Sequence, residues 1–266
     1  IQQVIDEHNI EEVIIAIGSS DHEVLERILN ALEGLNTEIR IIPDIYDILS
    51  GSVRMSSIYG APLIEIDRQI IPQWQVSIKR IMDWSVSIIA LVVLFPLLFL
   101  IGLLVFATSK GPVFYRQERI GRHGEPFRII KFRTMFVDAE RSGPQLSRDD
   151  DPRITPLGRY LRKSRLDEFP QFLNVLRGDM ALVGPRPERA HFIHQIMDRA
   201  PHYRHLQKVR PGITSWGQVK YGYAQNVDEM VQRLRFDLIY IENMSIALDF
   251  KILFYTIITV LRGSGK

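Results

Sequence analysis

Hydrophobic and polar positions change rhythm along this chain. In residues 1–66, "EEVIIAIGSS" has the continuous apolar run of a buried strand ending in a Gly-Ser turn. "DHEVLERILNALEGL" repeats at helical spacing, and "TEIRIIPDI" reads as a second strand closed by Pro43. Strand, helix and strand in that order predict an α/β unit like half of a nucleotide-binding sheet. Its first turn has only Gly18 and so lacks the dinucleotide fingerprint. A regulatory or oligomerising domain fits better than a cofactor site.

Residues 67–78 form a linker. Trp84 to Ser109 then runs for 26 residues without a charge. As a straight helix it would extend roughly 39 Å, against about 30 Å of bilayer hydrocarbon. Its internal position excludes a cleaved signal peptide. We therefore assign residues 79–110 to the membrane. Pro96, near the middle, removes a backbone hydrogen bond and crowds the preceding turn. Lys79 and Arg80 precede the run, and Lys110, Arg116, Arg119 and Arg122 follow it. Positive charge marks the cytoplasmic side, and here both flanks are positive. Two topologies satisfy these residues: a kinked spanning helix, and a re-entrant helix that breaks at Pro96 and returns to the same face.

Beyond the apolar run, "GPVFYRQERIG" and "GEPFRIIKFRTM" predict strands joined through a turn at residues 121–124. "VDAERSGPQLSRDDDPRITP" predicts a mobile loop, and "LGRYLRKS" a short basic helix. "VDEMVQRLRFDLIYIENM" and "ALDFKILFYTIITVLRG" have helical apolar periodicity, suited to a core or to a lipid surface.

Charge sharpens this division. Residues 1–66 hold twelve acidic residues against three basic ones, a net of −9, whereas residues 67–266 have a net of +11. A basic module facing membrane phosphate or nucleic acid follows. The chain has no cysteine, which rules out disulfides and thiolate zinc sites. It opens on Ile1 rather than Met, so a fragment of a longer protein is expected.

The candidate chemistry lies in "SRLDEFPQFLNVLRGDMALVGPRPE". Pro170 is tolerated only in a first helical turn, which places a helix start at or just after Asp167 with Glu168 inside that turn. An aspartate cap with a glutamate on the helix dipole is the plain reading. The same helix start also attracts phosphate, and Arg162, Lys163 and Arg165 stand just upstream. Arg186 is fixed between Pro185 and Pro187, and its planar fork suits a pair of phosphate oxygens. Carboxylates beside phosphates need a divalent cation, and Mg2+ prefers oxygen ligands. One acid could then hold the metal while the other attacks phosphorus.

Together with "KRIMD", "KFRTM" and "VRPGITSWGQV", these motifs over residues 76–263 resemble the bacterial sugar transferases, the monotopic polyprenol-phosphate phosphoglycosyl transferases. The resemblance implies the following. The fold is a partial Rossmann-like N-terminal domain (1–66), then a membrane-embedded α+β catalytic domain (111–266) with a re-entrant helix. The reaction moves a sugar-1-phosphate from a UDP-sugar to undecaprenyl phosphate and releases UMP, opening exopolysaccharide, O-antigen or capsule assembly. Asp167 is the nucleophile, Glu168 the Mg2+ ligand, and Arg162 and Arg186 bind phosphate. Lys79, Arg80 and Asp83 open the re-entrant helix that breaks at Pro96. Phe95 stands where the family has serine, so the kink lacks a hydroxyl to satisfy freed backbone groups. Membrane phospholipids are partners and nucleic acid is not. A homodimer is expected at the inner membrane, with its catalytic domain on the cytoplasmic face.

Two rivals remain at this stage. A nucleotide-sugar dehydratase or epimerase would need a Gly-x-Gly-x-x-Gly and a Tyr-x-x-x-Lys pair, both missing. A membrane scaffold would use the Asp-Glu pair only as a cap. His191 and His194 read as surface histidines, and Trp216 as ordinary packing.

Overall fold

The computed structural model describes residues 2–8, 10–17, 22–32, 37–41, 64–65, 71–140, 143, 145–146, 151–222 and 224–261. The chain divides into two compact units, Ile1–Gln69 and Ile70–Lys266.

In the first unit α1 (Gln2–His8), β1 (Glu12–Ile15), α2 (His22–Leu32), β2 (Glu38–Ile41) and β3 (Ile64–Glu65) follow in order. β1 and β2 are parallel, with Glu12 opposite Glu38 and Ile15 opposite Ile41, a pairing that needs a crossover, which α2 supplies. β3 lies antiparallel along β2. Ile5, Ile15, Leu32 and Ile39 form the core of this unit. A single parallel crossover is common to many α/β folds. Gly18 and Pro43 lie outside the described residues, as does most of the stretch between β2 and β3.

The second unit opens with α3 (Gln73–Thr108), 36 residues with Pro96 inside. It starts six residues before Lys79, because the polar turn from Gln73 already follows Pro72 into helix. Its middle is bare: Val92, Val93, Phe95 and Phe99 are all well exposed. Its ends are not. Lys79, Asp83 and Ser87 are buried at one end, and Ile101 and Val105 at the other. Among the described residues α3 alone is long and apolar enough to cross a membrane. So long a bare apolar surface marks membrane association.

β4 (Phe114–Ile120) and β5 (Pro126–Phe132) form the expected hairpin, in register from Phe114 opposite Phe132 to Ile120 opposite Pro126. α4 (Pro156–Lys163) is N-capped by Thr155, whose hydroxyl accepts from the Gly158 amide at 3.0 Å. Of the polar loop before it, residues 141–142, 144 and 147–150 lie outside the described residues. A 3-10 turn (Leu166–Gln171) leads into α5 (Phe172–Arg177) and β6 (Ala181–Val183). Then come α6 (Ala190–Met197), a second 3-10 turn (Pro201–Lys208), β7 (Gly212–Thr214) and α7 (Trp216–Lys220). α8 (Val227–Glu242) and α9 (Ile246–Leu261) close the unit, where the periodicity predicts them. β6 pairs parallel with β7. Leu182, Val183, Ile196, Leu234, Tyr240 and Ile252 lie in its main core.

Candidate active site

The Asp-Glu pair stands on the 3-10 turn rather than on an α-helix. Arg165 takes the cap position in the left-handed region, φ 55°, and makes no side-chain cap bond. Non-glycine residues rarely adopt that conformation, and it turns the chain sharply before the two acids. Asp167 therefore lies inside the turn instead of capping it, which removes the main support of the capping explanation. Both carboxylates are buried.

Two anchors hold this turn in place. Asn174 on α5 is fully buried and reaches β5, donating to the Arg128 carbonyl at 2.8 Å and accepting from the Ile130 amide at 3.0 Å. At the next residue of α5, Arg80 of α3 donates to the Val175 carbonyl at 3.0 Å. Its guanidinium packs over Gly178, whose φ of 97° suits the end of a helix. Lys79 donates to the Val183 carbonyl at 3.0 Å and pairs with buried Asp249 of α9. Asp83 accepts from the Leu182 amide at 3.1 Å. The three polar residues that open the membrane helix thus clamp it to α5, β6 and α9.

The Gly-Pro-Arg-Pro turn is set by a backbone contact. Gly184 and Gly212 lie so close that a Cβ on either would stand under 3 Å from the other's backbone nitrogen. The Gly184 amide donates to the Thr214 carbonyl at 3.1 Å, and the Gly212 amide to the Pro185 carbonyl at 2.9 Å. Only paired glycines permit this approach, and it delivers Arg186 toward Glu168, 3.5 Å from its Oε1.

Arg186 lines a cavity of about 450 Å3, to which Asp167 and Glu168 are neighbours rather than lining residues. Strand alternation places Tyr115, Gln117, Arg119 and Lys131 on one face of the hairpin, and all four line the cavity. Arg162, Arg186, Arg189, Arg233 and Glu188 line it too. Glu188 gathers the arginines: it accepts from Arg233 Nη2 at 2.6 Å and from Arg119 Nη1 at 3.3 Å, with Arg186 Nε at 4.0 Å. Burial pushes the Asp167 carboxyl up to about 7, and the charge on Glu168 pushes the same way, while Lys131 and Arg162 pull against it. Burial, then Arg119, brings Lys131 down to about 8. A carboxylate kept from full ionisation beside several cations is poised for an anionic ligand.

A family model described as bacterial sugar transferase matches residues 74–263. The chain belongs to that family. Among its relatives is a UDP-N-acetylgalactosamine-undecaprenyl-phosphate N-acetylgalactosaminephosphotransferase of Aeromonas hydrophila. It is 44% identical over 188 residues, 71% of this chain and 44% of the relative. A UDP-glucose:undecaprenyl-phosphate glucose-1-phosphate transferase of Escherichia coli (strain K12) is 33% identical over 250 residues, 93% of this chain and 54% of the relative. A protein of the same description from Caulobacter vibrioides is 40% identical over 188 residues, 69% of each chain. The chain spans about half the length of the Aeromonas and Escherichia relatives.

The structure brings Glu168 to Arg186 and puts Asp167 within reach of the charges on Lys131 and Arg162, while Lys79, Arg80 and Asp83 hold the neighbouring α5, β6 and α9. His191 and His194 are exposed. Trp216 packs beside Tyr255 at 6.2 Å between ring centroids. Sequence reasoning assigned no role to Lys131, Arg119, Glu188, Arg233 or Asn174. The alternation of "FYRQERI" and "PFRIIKF" could have put Arg119 and Lys131 on one face. Arg233, on a helix far along the chain, gave no local sign.

Proposed function

We propose that this chain carries the catalytic part of a membrane enzyme that transfers a sugar-1-phosphate from a UDP-sugar to undecaprenyl phosphate, releasing UMP. The observation that carries the reading is the buried Asp167-Glu168 pair, which feels Lys131 and Arg162 and meets Arg186, three cations that line the neighbouring cavity, in a unit clamped to a membrane helix. The Asp167 carboxylate attacks the phosphorus that bears the sugar. The bond from that phosphorus to the bridging oxygen breaks, and its electron pair leaves with UMP. An oxygen of undecaprenyl phosphate then attacks the same phosphorus and frees Asp167. Arg162, Arg186 and Lys131 hold the phosphate oxygens as charge moves onto them.

Mg2+ fits this arrangement. Among the described residues no three His, Cys, Asp or Glu gather as a metal site. An ion here would take one or two carboxylates and the donor's own phosphates, as Mg2+ habitually does. Glu168 would hold it, and the bound ion would neutralise charge between the acids and the diphosphate. Its contacts with Arg186 and Arg165, at 3.5 and 3.6 Å, are loose enough to be exchanged.

The re-entrant course of α3 is supported by its two buried ends, which pack on the same unit on either side of a bare middle. The inner membrane with the catalytic unit on the cytoplasmic face follows from its positive flanks. Cysteines placed at Arg80 and Arg116 should label from the same side; opposite sidedness would establish a spanning helix. We assign dimerisation to the N-terminal unit and the pathway step to the start of surface-polysaccharide assembly. The activity itself is tested by UMP release from a panel of UDP-sugars with undecaprenyl phosphate and Mg2+. Release with none of them, from folded protein in lipid, would overturn the assignment.

A further inference from the structure

The same cavity is lined by Pro112, Phe114, Arg133, Phe136 and Val137, none of which the donor reading uses. Pro112 and Phe114 follow closely on the last turn of α3 in the chain. Arg133 is only 5% exposed. Its Nη2 donates to the carbonyl and the hydroxyl of Ser109, the C-cap of α3, at 2.7 Å each. Its Nε and Nη1 are buried and meet no acceptor among the described residues. Gly111, at φ 122°, makes room for this side chain: a Cβ there would stand 2.1 Å from Arg133 Nη1 and 2.7 Å from Val137 Cγ2.

A helix-capping role accounts for Nη2 alone. Two further donors of a buried cation are left with their desolvation unrepaid. The rim around them is apolar and open, with Phe114 and Phe136 about half exposed and Val137 69% exposed. The last two turns of α3, just before this rim in the chain, are bare as well, at Leu103, Leu104 and Phe106. An apolar track from the membrane, ending at a cation that lacks an anion, fits a lipid monophosphate.

We infer that Arg133 receives the phosphate of the polyprenyl acceptor, which enters between the end of α3 and the Phe114–Phe136 rim while its tail stays along α3. This rests on the transferase reading above. The donor diphosphate is held by Arg162 and Arg186, so the two substrates use different cations of one cavity. Val137, which crowds Gly111 together with Arg133 and is 69% exposed, moves aside as the acceptor arrives.

The test uses the full chain in nanodiscs, with an undecaprenyl and a short-chain polyprenyl phosphate. Arg133→Lys keeps the charge and one donor for Ser109 but loses the fork, so the acceptor KM should rise about tenfold with both lipids. That rise should exceed any change in donor KM. Phe136→Ser should raise the KM for the long lipid more than for the short one. Binding of a fluorescent polyprenyl phosphate to Asp167→Asn protein, with and without Arg133→Lys, reads the same site without turnover. Arg133-dependent binding without UMP release from any UDP-sugar would uphold this site and sink the transferase reading. Acceptor binding and KM indifferent to Arg133→Lys would overturn the inference. So would donor and acceptor KM rising in parallel, which would reduce Arg133 to a cap of α3.

Discussion

Two carboxylate sites meet at Arg186 and are built differently. Glu188 is 4% exposed and accepts a short bond from Arg233 at 2.6 Å and a longer one from Arg119 at 3.3 Å. Glu168 faces Arg186 and Arg165 at 3.5 and 3.6 Å, and Asp167 beside it is held only partly ionised by burial. A tightly matched acid freezes its cations in place; a loosely matched one is free to change partner. On the proposed reading one carboxylate spaces the arginines of the cavity, and the Asp167-Glu168 pair exchanges partners when the ligand arrives.

Substitutions can break this contrast. Asp167→Asn preserves shape while removing the attacking charge, so transfer should fall by about a thousandfold or more, with the melting curve nearly unmoved. Glu188→Gln should do the reverse in kind. It leaves buried guanidiniums facing one another, and denaturation in detergent should report a loss of about 3–5 kcal/mol. An Asp167→Asn protein that unfolds, or a Glu188→Gln protein that is stable but inactive, would reverse the roles given to the two sites. Arg186→Lys, between them, keeps charge and loses the fork. Donor KM should rise about tenfold, and an unchanged KM would remove Arg186 from the donor site.

The smallest effect concerns another buried acid. Asp237 is pushed up to about 6 by burial, against the pull of Arg233 and of the Gly217 amide, which donates to it at 2.8 Å. Because its folded value is raised, the native state holds a proton that the unfolded chain has already lost. That contribution is complete below the unfolded value and is lost as pH rises through about 6. Asp237→Asn does not titrate, so wild type should lose about 1 kcal/mol relative to the variant between pH 5 and 7. A difference flat with pH would show that Asp237 stays charged.

The sequence made some of this legible and hid the rest for physical reasons. The hairpin, α4, α8 and α9 follow local periodicity, and their strands and helices lie where the pattern predicts. The Asp-Glu pair was visible because Pro170 limits where a helix can begin. Its 3-10 geometry was not, because the left-handed Arg165 has no glycine to announce it. The clamp by Lys79, Arg80 and Asp83 was anticipated only as an interfacial motif. Its partners Val183, Val175 and Leu182 are backbone groups about a hundred residues away, which no side-chain pattern encodes. The Glu188 node draws on β4, the Pro187 turn and α8, so only folding brings its members together.

The central claim is that Asp167 carries the sugar phosphate between donor and acceptor. The direct measurement is intact-protein and peptide mass spectrometry after mixing the enzyme with UDP-sugar and Mg2+ without undecaprenyl phosphate. The account predicts UMP limited by the amount of enzyme and a sugar-phosphate adduct on the peptide containing Asp167, lost in Asp167→Asn. Active enzyme that forms no adduct, and releases no UMP until undecaprenyl phosphate is added, would contradict it.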